Sequence, residues 1–448
     1  MSTLPEPIAP PPSAGAHIGA RALRKAAWRL IPILGAGYAV ALIDRTNLGF
    51  AALQMNRDLH FSASVYGLAA GIFFLSYASC NVPANLLLLR FGARRWLAGI
   101  MVGWGILSAA TLVVSTPGPF YVLRFLLGMA EAGFFPGVIY YLTRWFPSHM
   151  RARAITRFYV FGPLSGIVMG AIAGSLLGLN GRLGLAGWQW LFLVEALPAI
   201  LLGAVIFAWL PDSPESAPWL APEERAWVIR HRGGGDEPAG GASATGLGHA
   251  LRDANVWVGG LFMFTTLFGF YSYIFFAPII VTQLTGFSAT TVGFLIAGQY
   301  AVAAIAMVGN GILSDRQGER RLHALFPTLL TVLGFAVAAL AHSPGLILAA
   351  LTLIPAGGWA AQGPAWATCM AFLRPESAAA GIGTITSLGI LGGFVGPQVL
   401  GQLRDRTGTY QGGLLVCALA CLAAAILIWR LDPGIKAEPP SLSNNRTS

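Results

Sequence analysis

The sequence predicts an all-α polytopic membrane protein, with twelve transmembrane helices in two six-helix bundles. Three observations predict it: an apolar composition, runs of spanning length, and a repeat that divides them six and six. Of 448 residues, 55% are hydrophobic and 10% charged, with a mean hydropathy of +0.66. That balance excludes an ordinary soluble protein.

A hydrocarbon core about 30 Å thick requires roughly 20 helical residues. Apolar runs of that order fall near 27–52, 63–89, 96–115, 119–145, 153–178 and 188–210, and again near 253–283, 289–313, 323–341, 345–373, 380–403 and 409–431. The chain divides into a tail 1–26, a bundle 27–210, a linker 211–251, a bundle 252–431 and a tail 432–448. The first tail is Pro-rich and then basic at Arg21, Arg24 and Lys25, and is expected to be disordered and cytosolic. No short apolar core with a small-residue cleavage site follows it, so the first run reads as a retained span. The linker carries PDSPES and GGGDEPAGGASATG and is expected to flex at its glycine-rich centre.

The repeat lies in matching loops. Gly311-Ile-Leu-Ser-Asp315-Arg316-Gln-Gly318-Glu-Arg320-Arg321 follows span eight, and Asn85-Leu-Leu-Leu-Leu89-Arg90-Phe-Gly92-Ala-Arg94-Arg95 follows span two. Arg, Gly and the Arg-Arg pair stay in register. A repeat of whole six-helix units implies two bundles about an axis along the membrane normal, with a substrate path between them. Gly311 and Gly318 would permit close helix approach and a tight turn, and Asp315 would pair with basic residues in a latch that holds the halves together in the outward-open state and releases them on switching. Leu89 lacks that acid, which weakens the first-half copy built on Arg90, Gly92 and Arg94. The bland alternative for both loops is a basic membrane anchor.

The net charge of +10 could suggest nucleic acid. With both termini inside, outward loops hold only Arg57, Arg182, Arg404 and Arg406, and Arg45 and Arg124 lie within spans, leaving 22 of the 28 basic residues on the cytosolic side. This bias orients the chain in the cytoplasmic membrane and accounts for the charge without nucleic acid. Cys80, Cys369, Cys417 and Cys421 lie in apolar runs without metal-ligand spacing and read as reduced and inert.

The fourth span carries the chemistry. Arg124 and Glu131 stand seven apart, two turns along one helical face with about 10.5 Å of rise between them. Intramembrane charges are costly and normally retained for work on ions or substrates. Arg124 is expected a turn or two from the outer end and Glu131 near mid-membrane, stacked along one path and not paired, since helical neighbours are three and four apart. Asp44 and Arg45 are expected at the depth of Arg124, meeting it in a central cavity. Adjacent residues point about 100° apart, so these two need different partners. Arg45 or Arg124 could clamp a carboxylate in a bidentate fork. A buried carboxyl favours its neutral form and a nearby cation its charged form, so substrate at the arginine can control a proton at the acid. Glu131 fits this proton-coupling role best and Asp44 next; a structural pair is the alternative. Glu195, a third intramembrane acid, reads more readily as an interhelix hydrogen bond.

Tyr38 and Tyr77 in the first half, with Tyr271, Tyr273, Trp359, Gln362, Trp366, Thr386 and Ser387 in the second, complete the candidate pocket. Tyr77 and Trp366 are preferred, although aromatics in spans more often pack or belt the interface.

GxxxDRxGxRR, complete at Gly311 to Arg321, resembles the loop signature of the major facilitator superfamily. LIDRTNLGFAALQMNRDL (42–59), RFLLGMAEAGFFPGVIYYLTRWFP (124–147), GWQWLFLVEALPA (187–199) and LGILGGFVGPQVLG (388–401) resemble its anion:cation symporter family. The resemblance implies a carrier working by alternating access, of the branch that imports tartrate, phthalate, sugar acids and related carboxylates with protons. It also implies that Asp44 and Glu131 are the coupling carboxylates. One departure stands out: the family's INSxGNxGGF pattern appears as Ile385 to Phe394 without either asparagine. Ile390 removes an amide that could bind a polyhydroxy acid, which tilts the expected substrate towards a less polar or aromatic carboxylate.

The sequence therefore predicts a proton symporter of small organic anions, not an enzyme. No cofactor other than the coupling proton is expected, and the partners are a carboxylate and the lipid bilayer, with the protein as a monomer. A facilitator or anion exchanger of the same fold, a membrane receptor, and a membrane-embedded enzyme are the rivals. Buried acids favour symport over a passive facilitator, and short loops disfavour a receptor.

Overall fold

The computed structural model describes residues 14–232, 244–371, 373 and 378–431. Among the described residues, twelve helical segments are long and apolar enough to cross a membrane. In the first half these are α1 (Ala14–Asp58), α2 (Ala63–Phe91), α3 (Ala93–Ala110), the pair α4 (Pro117–Glu131) and α5 (Phe134–Thr143), the pair α6 (Ser148–Tyr159) and α7 (Phe161–Leu177), and α8 (Gly187–Trp209). Short helices α9 (Pro222–His231) and α10 (Ala244–Arg252) follow. The second half is α11 (Ala254–Thr285), α12 (Ala289–Gln317), α13 (Arg321–Leu340), α14 (Pro344–Ala371), α15 (Ala378–Thr407) and α16 (Gln411–Arg430).

Local chemistry sets the boundaries. Ser62, Ser288 and Asp253 cap their helices by accepting N–H bonds from Val65 (3.2 Å), Thr291 (3.3 Å) and Asn255 (2.9 Å). Span four breaks directly after Glu131. Pro136 has no N–H and its ring opposes the carbonyl of Ala132, so the helix must restart. At the break, a Cβ on Gly133 would lie 2.8 Å from Ala84 Cβ and 2.9 Å from Trp96 Nε1. Pro163 explains the break between α6 and α7 in the same way, opposing the carbonyl of Tyr159.

The halves meet where α2 crosses α15, α7 crosses α12 and α1 crosses α11. Gly166, Gly170 and Gly174 form a stripe of four-residue spacing on α7 that lets α12 approach closely. A Cβ on Gly174 would stand 2.1 Å from Thr290 Cα, and one on Gly67 of α2 would stand 2.4 Å from the Pro397 carbonyl. These contacts lie towards the end of the bundle opposite the repeated loops, called here the far end. There Asp405 Oδ1 accepts from the Ala63 N–H (3.1 Å) and Oδ2 from the Ser64 N–H (2.9 Å), so α15 caps the first turn of α2 across the two halves. Near the repeated loop, Leu86, Leu87 and Leu89 of α2 are exposed, whereas Tyr66, Phe73 and Phe74 are buried.

The amino-terminal expectation needs correction. From Ala14 the chain is already helical, and α1 runs without interruption into the first span. Glu224 of α9 supplies the reason: Arg21 Nε donates to it at 2.5 Å and Lys25 Nζ at 2.8 Å, while the Trp227 ring lies against Gly19. Burial pushes the Glu224 carboxyl up, but hydrogen bonds from Lys25, the Ala221 N–H and Arg21 outweigh it and hold the carboxyl below its usual range. Residues 1–13, the glycine-rich linker centre, residues 374–377 after span ten and the tail 432–448 lie outside the described residues.

The repeated loops depart from expectation at Gly311. Gly92 and Gly318 both take positive φ (80° and 65°), which supports the tight turn. Asp315 pairs at 2.5 Å with Arg320 of its own loop. A Cβ on Gly311 would meet open space, so close approach does not explain that glycine here. Gly318 likewise has no neighbour at that distance, Arg316 is exposed, and Arg321 lies 4.2 Å over the Trp429 ring. In the first-half loop Asp212, from the linker, stands in for the acid missing at Leu89: its Oδ1 accepts from the Arg94 N–H at 3.0 Å. The Arg94 guanidinium donates to the Phe207 carbonyl, and exposed Arg90 lies over Phe91.

Candidate functional site

Four charged side chains converge in the interior of the first half. Arg45, from the middle of α1, reaches Glu131 at the end of α4, with Nη2 at 2.5 Å and Nε at 3.0 Å from the same oxygen, Oε2. The other oxygen, Oε1, is buried without a partner. Phe73 and Tyr77 flank this guanidinium at 5.1 and 5.2 Å, and the Tyr271 hydroxyl of α11 accepts from Nη1 at 3.4 Å. A charged pair on the first half is thereby touched by an aromatic residue of the second.

Arg124 lies against the same Phe73 ring, with its guanidinium 5.0 Å from the centroid. Its Nε donates to the Ala69 carbonyl at 3.4 Å, while Nη1 and Nη2 are buried without partners. The side chain is 1% exposed, so two desolvated donors stand ready in the fork geometry that matches a carboxylate. Asp44 accepts from the Ser108 hydroxyl of α3 at 2.7 Å through Oδ1, and its Oδ2 is unpartnered. Arg124 acts electrostatically on both Asp44 and Glu131 without ion-pair contact to either.

The structure brings together Asp44, Arg45, Arg124, Glu131 and Tyr77, and gives Asp44 and Arg45 separate partners as their angular separation requires. The depth expectation changes, because Arg45 does not stay level with Arg124 but reaches the deeper acid. The rest of the candidate pocket is divided. Tyr38 stacks on Phe158 at 4.7 Å. Tyr273 is committed to Gln299 through a 2.5 Å bond. Trp366 packs against a separate core with Val256, Phe262 and Cys369. Gln362 is half-buried and Ser387 exposed, and neither is joined to the charged cluster; Thr386 bonds the Ile382 carbonyl of its own helix. Trp359 is better placed: with Arg45, Thr46, Ser165, Phe270, Tyr271 and Tyr300 it lines a narrow cavity, and its indole N–H is buried without a partner.

Phe73, Ser108 and Asn47 were not anticipated. Asn47 donates to Glu195 of α8. Its one sequence signal is its place three residues after Asp44, one helical turn along the same face.

A model of the Major Facilitator Superfamily matches residues 34–397. The chain belongs to the major facilitator superfamily. Among superfamily relatives, a protein of Agrobacterium vitis provisionally named a tartrate transporter is 45% identical over 408 residues, spanning 91% of this chain and 90% of the relative. The metabolite transport protein NicT of Pseudomonas putida, also provisionally named, is 38% identical over 417 residues, spanning 92% and 94%. Among solved structures, a bacterial homologue of the human lysosomal transporter Spinster aligns with a TM-score of 0.71 at 17% identity, covering 90% of this chain and 96% of that one. The xylose transporter XylE of Escherichia coli gives 0.70 at 14%, covering 90% and 97%. These establish the superfamily fold: the protein is a multi-pass membrane transporter, not an enzyme, and takes a small-molecule substrate.

Proposed function

We propose that this transporter imports a small organic carboxylate with protons by alternating access, as a monomer in the cytoplasmic membrane with both termini cytosolic. The observation that carries this reading is the bond between Arg45 and Glu131 at the wall of the cavity. While Glu131 is ionised, it occupies the guanidinium that an anionic substrate needs. A proton on Glu131 removes that hold and frees Arg45 to bind the substrate carboxylate, with the open fork of Arg124 as the second cation. Proton and anion then share one free-energy path, and Asp44 is placed to take a second proton beside Arg124.

The far end is read as the outer face, so the halves are closed outside by the α2–α15 and α7–α12 contacts and by Asp405. Tartrate in the name of one relative supports an organic anion. Sugar acids remain within the proposed class, but Phe270, Tyr271, Tyr300 and Trp359 around the cavity, with Ile390 on α15, favour an aromatic or less polar acid.

The test is uptake of labelled tartrate, benzoate, phthalate and galactonate into proteoliposomes with and without an inward proton gradient. Gradient-driven accumulation of one of them supports symport. Net uptake that ignores the gradient would leave a facilitator or anion exchanger of the same fold, and binding without uptake would leave a receptor.

A further inference from the structure

The transport reading uses Asp44 and Glu131 and leaves the third buried acid unexplained. Glu195 is 4% exposed on α8, and its hydrogen-bond partner is Asn47 of α1, itself fully buried. The Asn47 amide N–H donates to Glu195 Oε2, which leaves Glu195 Oε1 and Asn47 Oδ1 both buried and both without partners. Two acceptors, one on each side chain of this bonded pair, are thus orphaned together. An ionised carboxylate can satisfy neither, because it has no hydrogen to give.

One proton on Oε1 satisfies both. The carboxylic acid donates to Asn47 Oδ1 while the amide donates to Oε2, closing a ring of two hydrogen bonds. Turning the amide over does not change the answer: its oxygen would then face Oε2 and would again require a hydrogen on the acid. The surrounding charge agrees. Glu131 has Arg45 at 2.5 Å and Arg124 acts on Asp44, whereas the charged side chain acting on Glu195 is Asp44, of the same sign. Ser108 of α3 is already bonded to Asp44. An unpaired carboxylate removed from water and set near a second one is among the costliest arrangements a protein interior can hold.

We propose that Glu195 carries a resident proton that does not turn over, locking Asn47 in a two-bond ring that ties α1 to α8 and fixes the helical turn holding Asp44 and Arg45. Glu195 is then a positioning residue for the transport reaction proposed above, on which this inference rests. The coupling protons are confined to Asp44 and Glu131.

The experiment uses the full-length protein in proteoliposomes, wild type against Glu195→Gln, because a glutamine amide at that position can close the same ring with Asn47. Infrared spectra in light and heavy water should show a protonated-carboxyl band in the wild type that persists from acidic to mildly alkaline pH and is missing from the glutamine variant. A missing band, or one that titrates away over that range, overturns the proposal. Uptake of labelled tartrate and benzoate by Glu195→Gln should keep the wild-type pH profile within about twofold. Loss of accumulation with counterflow retained would make Glu195 a coupling site and overturn it too. If the wild type shows no gradient-driven uptake, the symport reading fails, and the infrared band alone still decides for Glu195.

Discussion

Arg45 of α1 donates both Nε and Nη2 to a single oxygen of Glu131, at 3.0 and 2.5 Å, and leaves the other oxygen of that carboxyl bare. The bond closes a path between two spans and places the acid in direct competition with any anion that seeks the same guanidinium. Glu131→Gln should therefore abolish proton-driven accumulation and leave counterflow exchange within a few-fold of wild type, since a neutral amide copies the protonated acid. Parallel measurement of gradient-driven uptake and counterflow checks this. Equal loss of both would demote Glu131 to a structural role.

Arg124 holds two buried donors with no partner beside the Phe73 ring. Arg124→Lys keeps the charge but replaces a planar fork by a point charge. Affinity for the transported carboxylate should fall about tenfold, equivalent to about 1.4 kcal/mol. Binding isotherms on purified protein check it, and unchanged affinity would remove Arg124 from the substrate site.

Much of this fold was legible in the sequence because each spanning helix must present roughly 20 apolar residues, and because Arg, Gly and Arg-Arg recur in register between the halves. The identity of the charged cluster was legible for the same reason: Asp44, Arg45, Arg124 and Glu131 are conspicuous against lipid-soluble neighbours. Their pairing was not. A guanidinium on a long side chain spans more than a turn, so the depth of its Cα does not fix the depth of its charge. The break after Glu131 was signalled by Pro136 but hidden by treating 119–145 as one helix. Asn47 and Ser108 were missed because a small polar residue in a span carries no signal until its partner on another helix is known. Asp315 was expected to latch the halves in the outward-open state; in this state, with the far end closed, its 2.5 Å partner is a loop neighbour.

Among the described residues, Asp405 makes inter-half bonds at the far end. Its carboxylate takes two of the four N–H groups that the first turn of α2 cannot satisfy within the helix, where the helix dipole also favours negative charge. Asp405→Asn retains shape and loses charge, and should cost about 1 kcal/mol of far-end closure, roughly a fivefold shift towards states open there. Spin-label distances between engineered cysteines at the far ends of α2 and α15 measure that population. A distribution unchanged by the substitution would mean that the cap does not bias the gate.

Glu224 fastens α9 to the start of α1. Its carboxyl is held below the usual range in the folded protein, so this contribution is present above the ordinary carboxylate range and is lost as pH falls through the folded value. Glu224→Gln should lower the melting temperature in detergent at neutral pH, and the difference from wild type should vanish on acidification. Melting curves against pH for both proteins check the sign. A gap that stays constant down to acid would exclude the ion pairs with Arg21 and Lys25 as its source.

Gly174 tests closure without touching a charge. A Cβ there would stand 2.1 Å from Thr290 Cα and 2.6 Å from its backbone nitrogen, and neither atom can swing aside as a side-chain tip could. In a single-state protein such overpacking would only destabilise, by about 1–3 kcal/mol. Here α7 and α12 belong to different halves, so separation at the far end relieves the clash. Gly174→Val should raise the labelling rate of a cysteine placed at the far end of α12 and depress net uptake, while the melting temperature moves little. A large fall in melting temperature without increased labelling would show instead that the α7–α12 contact is fixed packing and takes no part in opening.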